Sequence, residues 1–207
     1  RPPRSTPLYS SAASDVYKRQ PIPGLKETGY ITSDDALTLR KAPKSLLVLG
    51  GGAVAVELAQ FFQRIGTPVS LLQRSKHILS QVDKDLAQPV EDRFREEGMN
   101  LYTGTKILKA TKENHRSVIY FEHEGKEKRC EAETILQALG RKPNIDGLNL
   151  EAVGVQIENG KVMVDSEMRT NLKNIFAVGD VNGIHEVVHF AIQQGEVAGY
   201  NLSLIHI

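Results

Sequence analysis

The sequence predicts an α/β fold, in which a parallel sheet with helices on both faces is joined by an antiparallel β-meander. Three observations predict this fold class. Residues 45–49 are a continuous apolar run, as in a strand that is buried on both faces of a parallel sheet. Residues 53–65 carry apolar side chains at helical spacing, and Gly66 then ends the helix. A second apolar strand at residues 68–73 completes a strand–helix–strand unit.

Further elements lie on either side of this unit. A short helix over residues 35–39 is capped by residues 33–35, and a charged helix over residues 83–97 contains Pro89, which implies a kink or a late start. Residues 134–139 are apolar and return to the parallel sheet. The meander consists of three strands and two turns, at residues 106–111, 117–122 and 127–130, with Asn114-His115 and Glu124-Gly125 between them.

After Pro143 the pattern restarts. A hairpin turn at Asn159-Gly160 precedes a strand at residues 161–164, and a buried strand at 174–178 precedes a helix at 186–200. Both ends of the chain lack such patterns. We expect non-native or disordered tails there, at residues 1–20 and 202–207, without strand or helix in residues 1–19.

Composition excludes several functional classes. The 207 residues carry a formal net charge of +1, so no charge excess points to nucleic acid or to a membrane surface. The most apolar stretch, residues 46–62, is interrupted by glycines and Glu57, which argues against a membrane-spanning helix. Cys130 is the single cysteine, which fits a reducing, cytoplasmic location. His185 and His189 lack a third ligand, so no metal site is expected.

A glycine-rich turn between the first strand and its helix is the first motif with a chemical meaning. In the pattern G-x-G-x-x-A, Gly50 permits a tight turn, Gly52 lets a diphosphate approach the backbone, and Ala55 lets the helix pack closely on the sheet. The helix begins at Ala53 and Val54, whose N–H groups can bind an anion. This context predicts a Rossmann-like dinucleotide site, and the alternative is a glycine-rich turn without a ligand.

The end of the second strand indicates which dinucleotide binds. NAD sites usually carry Asp or Glu there, to hold the ribose 2′-hydroxyl group. This chain instead has Gln73, followed by Arg74 and Lys76, and both cations suit a 2′-phosphate. We therefore expect NADPH (NADP) rather than NADH (NAD). The alternative is that Arg74 and Lys76 are solvated loop charges.

A second motif, TNLKNIFAVGD at residues 170–180, ends in Gly179 and Asp180. Asp180 is expected at the carboxyl end of a sheet strand, where ligands of open α/β folds bind. Its carboxylate can accept hydrogen bonds from ligand hydroxyl groups. The helix that follows aims N–H groups at a negatively polarised atom.

Residues 21–201 resemble the pyridine nucleotide-disulfide oxidoreductases, which are flavoproteins with two dinucleotide-binding domains. The resemblance rests on three signatures that occur in order: GGGAVAVE at residues 50–57, ALGRKPN at 138–144 and RTNLKNIFAVGD at 169–180. The family includes glutathione reductase, dihydrolipoamide dehydrogenase and mercuric reductase. The string QRS at residues 73–75 is closest to NADPH-using members such as mercuric reductase.

The resemblance implies further contacts with two cofactors, NADPH and FAD. For the flavin, the matching residues are Asp180, at the ribityl chain, and Val187 and Val188, at the pyrimidine ring. For the nicotinamide nucleotide, they are Glu57, beside the nicotinamide, and Leu139, Gly140 and Arg141, in a loop that passes the cofactor. That loop reads Ala-Leu-Gly where Ala-Thr-Gly is commoner. No side chain is expected to act as a general acid or base.

The resemblance also implies how the chain is divided and what it does. We expect a connector from the FAD domain at residues 21–41, an NAD(P)-binding domain at 42–144 and part of an FAD-binding domain at 145–201, as a fragment of a homodimeric parent protein. The implied reaction of the parent protein passes hydride from NADPH to FAD and on to a disulfide or another small-molecule acceptor, and this fragment alone is expected to be inactive. Two alternatives stay open: a nucleotide-binding module without turnover, and an NADH-dependent relative of dihydrolipoamide dehydrogenase.

Overall fold

The computed structural model describes residues 16–17 and 22–204. The described residues form two compact units, one within Tyr17–Gly140 and the other within Arg141–Ile207 together with Val16. Most of the two predicted tails therefore lies outside the described residues. Where the tails are described they differ from the prediction, because Val16–Tyr17 is a strand and the last helix continues to Leu204.

The described residues form eleven strands, five α-helices and one 3₁₀ helix. The strands are β1 (Val16–Tyr17), β2 (Leu46–Leu49), β3 (Val69–Leu72), β4 (Asn100–Tyr102), β5 (Lys106–Glu113), β6 (Arg116–His123), β7 (Lys126–Ala132), β8 (Thr134–Gln137), β9 (Arg141–Lys142), β10 (Ile157–Glu158) and β11 (Lys161–Val162). The helices are α1 (Leu25–Thr28), α2 (Ser33–Leu37), α3 (Ala53–Arg64), α4 (Lys84–Glu96), the 3₁₀ helix Gly179–Asn182 and α5 (Val188–Leu204). None of these helices is both long enough and apolar enough to cross a membrane.

A four-stranded parallel sheet, in the order β4-β3-β2-β8, forms the centre of the first unit. In β2 the side chains alternate between two cores. Leu46 and Val48 pack with α2, α3 and α4, whereas Leu47 and Leu49 pack with the meander and α1. All four side chains are buried, which explains why the strand is an unbroken apolar run.

The predicted α/β class is confirmed, and the two faces of the sheet are covered differently. Helices α2, α3 and α4 cover one face through side chains such as Ala36, Phe62 and Phe94. On the other face, Leu25 of the one-turn helix α1 lies beside the meander, whose Phe121 is fully buried. Most of this second face is therefore covered by strands.

The antiparallel meander β5-β6-β7 is confirmed, with strands slightly longer than predicted. Its turns fall at the predicted residues. Asn114 and His115 have φ angles of 47° and 65°, and Glu124 and Gly125 have 53° and 71°. Two successive positive φ angles are what a two-residue hairpin turn of type I′ requires.

One strand was not predicted, and the predicted starts of two helices need correction. Strand β4 is not predicted, because three residues are too few to show a period; its Tyr102 carbonyl accepts the Gln73 N–H at 2.8 Å. Helix α4 begins at Lys84, so the late start inferred from Pro89 is wrong. Helix α2 begins earlier than predicted because Thr32 caps it, in a reciprocal pair of hydrogen bonds with Asp35.

Residues expected to form a connector pack within the first unit. The Ile31 N–H group donates to the Ile135 carbonyl at 2.8 Å, and the Gln137 N–H group donates to the Ile31 carbonyl at 2.9 Å. Ile31 thereby extends the parallel sheet beside β8 by one residue. The division between the units falls after Gly140, four residues before the predicted boundary.

The second unit has a small core built around Val155, Val162, Ala177 and Val181. Its predicted hairpin is confirmed as β10 and β11. The buried strand predicted at residues 174–178 is wrong, since the segment forms one isolated bridge, from Phe176 to Arg169. An apolar run forms a strand only when it pairs with other strands. Among the described residues, this segment pairs only with Arg169. The last helix begins at Val188, two residues later than predicted.

The carboxylate of Glu97 joins α3 to α4. Arg64 Nη2 lies 2.7 Å and Arg93 Nε 2.8 Å from Glu97 Oε1, and Gln60 Nε2 donates to Oε2 at 3.3 Å. The pKa of Glu97 is lowered from 4.5 to about 2, chiefly by the hydrogen bond from Arg64, with those from Arg93 and Gln60 adding and burial opposing. The ionised form of Glu97 is therefore stabilised in the folded protein.

We expect Glu97→Gln to lower the melting temperature at neutral pH. A carboxyl group with a lowered pKa contributes its full stability above the unfolded pKa, 4.5, and loses it as the pH falls towards about 2. The difference in melting temperature from wild type should therefore shrink between about pH 5 and pH 3. Glu96→Gln is the control, since Glu96 is exposed and its carboxylate bonds only to Arg93 among the described residues. A difference that does not change with pH would contradict this account.

Candidate nucleotide-binding site

The glycine turn leaves β2 close to the backbone that follows β8. Gly50 has a φ angle of 115°, and a Cβ atom added there would lie 2.2 Å from the carbonyl oxygen of Ala138. Its N–H group donates to the Leu72 carbonyl at 2.9 Å. Glycine at this position is thus required by the protein's own packing and conformation.

At position 52, in contrast, neither the backbone conformation nor the neighbouring atoms require a glycine. Its φ angle is −77°, and an added Cβ would meet no described atom within 4 Å. It is the N-cap of α3, where Ser, Thr, Asp or Asn would stabilise the helix through a hydrogen bond that glycine cannot make. The first helical bond runs from Val56 N–H to the Gly52 carbonyl at 3.0 Å, so the N–H groups of residues 53–55 have no acceptor within the helix. The open space beside Gly52 suits an anion that approaches the backbone.

Helix α3 places the other predicted residues of this motif at different depths. Ala55 is fully buried, as close packing of the helix on the sheet requires. Val54 is half-buried and Ala53 is exposed. Glu57 is exposed on the same helix and does not line the cavity described next, so its predicted place beside a nicotinamide stays a prediction.

A cavity of about 530 Å³ lies at the carboxyl ends of β2, β3 and β8, in the first unit. Ligands of open α/β sheets bind at this edge. Among the described residues, its charged lining consists of Arg74 and Lys106, and no acidic side chain lines it. The remaining lining residues are Ile22, Gly50, Gly51, Gly52, Leu72, Gln73, Ser75, Ser80, Gln81, Thr105, Ile107, Ala138, Leu139 and Gly140.

Gln73 offers the cavity a hydrogen-bond donor. Its side chain is buried, and Oε1 accepts the N–H group of Arg74 at 3.1 Å. The same side chain packs on the turn, since a Cβ added at Gly51 would lie 3.0 Å from its Cγ and Cδ. Gln73 lines the cavity, and its amide carries an NH₂ group. That group can donate to a phosphate oxygen, whereas the carboxylate of an NAD site only accepts.

The structure brings one of the two predicted cations to the cavity. Arg74 is exposed to solvent and lines the cavity two residues after β3. Lys76 is also exposed, but it is not among the lining residues. Leu139 and Gly140 line the cavity after β8, as the resemblance implies, and Gly140 has a φ angle of 113°.

Two loops that were not predicted from the sequence complete the cavity. Leu79 N–H donates to the Gly51 carbonyl at 2.6 Å, which holds Ser80 and Gln81 beside the glycine turn. Buried Glu91 supports this loop by accepting the Ile78 N–H group at 3.0 Å. The second loop follows β4 and leads into β5, whose first residues, Lys106 and Ile107, also line the cavity. Recognition of β4 would have indicated this second loop, because parallel strands end at the same edge of a sheet.

In the second unit, the 3₁₀ helix that carries Gly179 and Asp180 is bonded to helix α5. Gly179 opens the 3₁₀ helix with a φ angle of 77°, and its N–H group donates to Gln194 Oε1 at 2.7 Å. Asn182 Nδ2 donates to the same oxygen at 2.8 Å, so α5 fixes this turn through a buried amide. Arg141 Nη2 lies 3.2 Å from Asp180 Oδ2. Gln194 and Asn182 were missed by the sequence analysis.

Val187 and Val188 lie at the start of α5, where both side chains are exposed. The Val187 carbonyl accepts the first helical hydrogen bond, from Ala191 N–H at 3.1 Å. Helix α5 thus begins with backbone N–H groups that have no acceptor within the helix. This end of the helix is suited to a polar ligand atom, which is what the resemblance implies for these two residues.

The remaining candidate residues take no part in the cavity. Cys130 lies on β7, where burial raises the pKa of its thiol group. His185 packs its ring against Phe190, with centroids 4.3 Å apart. In the part of the chain that the structure describes, no three His, Cys, Asp or Glu side chains come together as metal ligands.

A parallel sheet with a glycine turn and a helix N-terminus at its carboxyl edge defines a dinucleotide-binding protein. The chain belongs to the pyridine nucleotide-disulphide oxidoreductase family, which it matches over residues 13–195. This confirms the resemblance inferred from the three signatures. The family consists of flavoprotein oxidoreductases that use a pyridine nucleotide.

Individual relatives agree with this family. The chain is 37% identical over 181 residues to a mercuric reductase of Staphylococcus aureus, which covers 87% of this chain and 33% of the relative. It is 34% identical over 176 residues to a dihydrolipoyl dehydrogenase of Buchnera aphidicola, covering 83% and 36%. The solved structure of the HOCl-induced flavoprotein disulfide reductase of Escherichia coli has a TM-score of 0.82 and 26% identity, covering 92% of this chain and 43% of that one. The chain spans about a third of the length of these curated relatives.

Proposed function

We propose that this chain is the NADPH-binding part of a flavoprotein oxidoreductase that passes hydride from NADPH to FAD and electrons on to a disulfide or another small-molecule acceptor. The observation that carries the nucleotide part is the open backbone at Gly52. No described atom occupies the space beside it, and its glycine leaves α3 without a side-chain cap. A diphosphate bound there would accept hydrogen bonds from the first N–H groups of the helix.

The choice of NADPH over NADH is supported by the charge and the hydrogen-bonding capacity of the cavity. Arg74 lines it two residues after β3, no described acid lines it, and the lining carries the neutral amide of Gln73 where an NAD site carries a carboxylate. A 2′-phosphate only accepts hydrogen bonds and carries negative charge, so this end of the cavity suits it. A ribose 2′-hydroxyl group is best held by the carboxylate that this chain lacks here.

The flavin part of the proposal rests on the second unit. The Asp180 carboxylate is about one quarter exposed and paired with Arg141, so it can still accept a hydrogen bond from a ligand hydroxyl group. Backbone N–H groups at the start of α5 are available to a flavin carbonyl. Bound FAD would supply the redox chemistry, and these residues would hold and orient it. The predicted domain limits, a homodimeric parent protein and a cytoplasmic location belong to the same proposal.

Purified protein tests both parts at once. We expect the 207-residue chain to bind NADPH at least about tenfold more tightly than NADH, a difference of about 1.4 kcal/mol, in a fluorescence titration. We also expect visible flavin absorbance that NADPH bleaches. Equal affinity for the two nucleotides would contradict the NADPH assignment. A colourless protein that binds NADPH would contradict the flavin part and leave the nucleotide part intact.

A further inference from the structure

The loop after β4 is held against the end of β3 by three hydrogen bonds. Gly104 N–H donates to the Ser75 carbonyl at 2.8 Å, and both the N–H group and Oγ1 of Thr105 donate to the Gln73 carbonyl at 3.0 Å. Thr105 is buried, so its two bonds are shielded from water. The two loops are therefore fixed side by side at the edge of the cavity where Arg74 lies.

Lys106 is the residue that this arrangement brings to the cavity. Its only ion-pair partner among the described residues is Glu122, with Nζ 3.9 Å from Oε2 and both side chains largely in solvent. An exposed pair at this distance contributes little energy, so its loss costs little when the ammonium group turns to another anion. Lys106 follows buried Thr105 directly, which fixes the backbone from which its side chain extends.

We infer that Lys106 acts with Arg74 as a second cation for the phosphate monoester that distinguishes NADPH from NADH. The inference rests on the proposed function and makes Lys106 a specificity-determining residue. Two cations match a phosphate monoester, which carries nearly two negative charges at neutral pH. The guanidinium group of Arg74 can bind two of its oxygens, and the ammonium group of Lys106 adds a point charge. Lys76, the cation suggested by the sequence, does not line the cavity.

Replacing Lys106 with glutamine tests this inference by nucleotide titration of the full chain. We expect Lys106→Gln to weaken NADPH binding on the order of tenfold and to change NADH binding less than about twofold. The loss should become smaller as salt is added, because screening weakens exposed charge pairs. Lys106→Arg should keep the preference for NADPH, since it retains the charge.

Lys112→Gln is the matched control. Lys112 is exposed on the same strand, β5, and does not line the cavity, so this variant should bind both nucleotides as wild type does. If wild type itself binds NADPH no more tightly than NADH, the proposed function fails. If wild type prefers NADPH and Lys106→Gln keeps that preference, the inference about Lys106 alone is overturned.

Discussion

Gly52→Ala should nearly abolish NADPH binding while the protein stays folded. The added methyl group would fill the open space beside the N-terminus of α3, where a diphosphate must come close to the backbone. We expect the dissociation constant to rise on the order of 100-fold, which is about 2.7 kcal/mol. The extended backbone at Gly52 accepts alanine without strain, so stability should fall by less than about 1 kcal/mol. Nucleotide titration and thermal unfolding of the same sample measure both quantities.

Gly50→Ala is the comparison variant. The two glycines lie in the same turn, but the protein's own packing and conformation require a glycine only at position 50. At Gly50 the methyl carbon would lie 2.2 Å from a backbone oxygen, and the φ angle of 115° is unfavourable for alanine. This variant should lose stability as well as binding. Normal NADPH affinity in Gly52→Ala would rule out a diphosphate at this turn.

Arg74→Glu should weaken NADPH binding on the order of 100-fold and leave NADH binding unchanged or improved. The change removes a charge-assisted hydrogen bond to the 2′-phosphate and places a like charge beside it. It also restores, one residue after Gln73, a carboxylate that could accept from a ribose 2′-hydroxyl group. Dissociation constants for NADPH and NADH, measured on both proteins, give the change in preference directly.

Lys112→Glu is the matched charge reversal for this experiment. Lys112 is exposed on β5 and outside the cavity lining, so its reversal changes the net charge equally without touching the proposed phosphate site. We expect it to alter NADPH affinity less than about twofold, as is usual for an exposed charge at a distance. An Arg74→Glu variant that still prefers NADPH would show that the 2′-phosphate is held elsewhere.

Elements whose signal is local could be predicted from the sequence. A window of a few residues is enough to recognise the apolar run at Leu46–Leu49, the apolar spacing of α3 and the turns of the meander. The failures concern relations between distant segments. The apolar residues 174–178 match a strand in composition, but only Phe176 forms a bridge. Strand β4 is the reverse case, because it exists through its pairing with β3 rather than through any pattern of its own.

The candidate site divides in the same way. The glycine turn and Arg74 follow immediately after strands that the sequence predicts, so both were found. Lys106 and Thr105 reach the cavity because β4 ends beside β3, a contact between residues about thirty positions apart. The position of Ser80 and Gln81 beside the cavity depends on the hydrogen bond from Leu79 N–H to the Gly51 carbonyl, which no local sequence pattern predicts. The part of the cavity lining that follows predicted strands could therefore be predicted, and the part that depends on contacts between distant segments could not.

The alternation of side chains along β2 ties the glycine turn to the whole first unit. Leu46 and Val48 belong to one core, and Leu47 and Leu49 belong to the other. Loosening either layer therefore exposes the strand from which Gly50 departs, so we expect the helices and the meander to unfold together rather than one after the other. The turn proposed to bind the nucleotide is consequently anchored in both cores, and we expect this to keep its amide groups aligned before any ligand arrives.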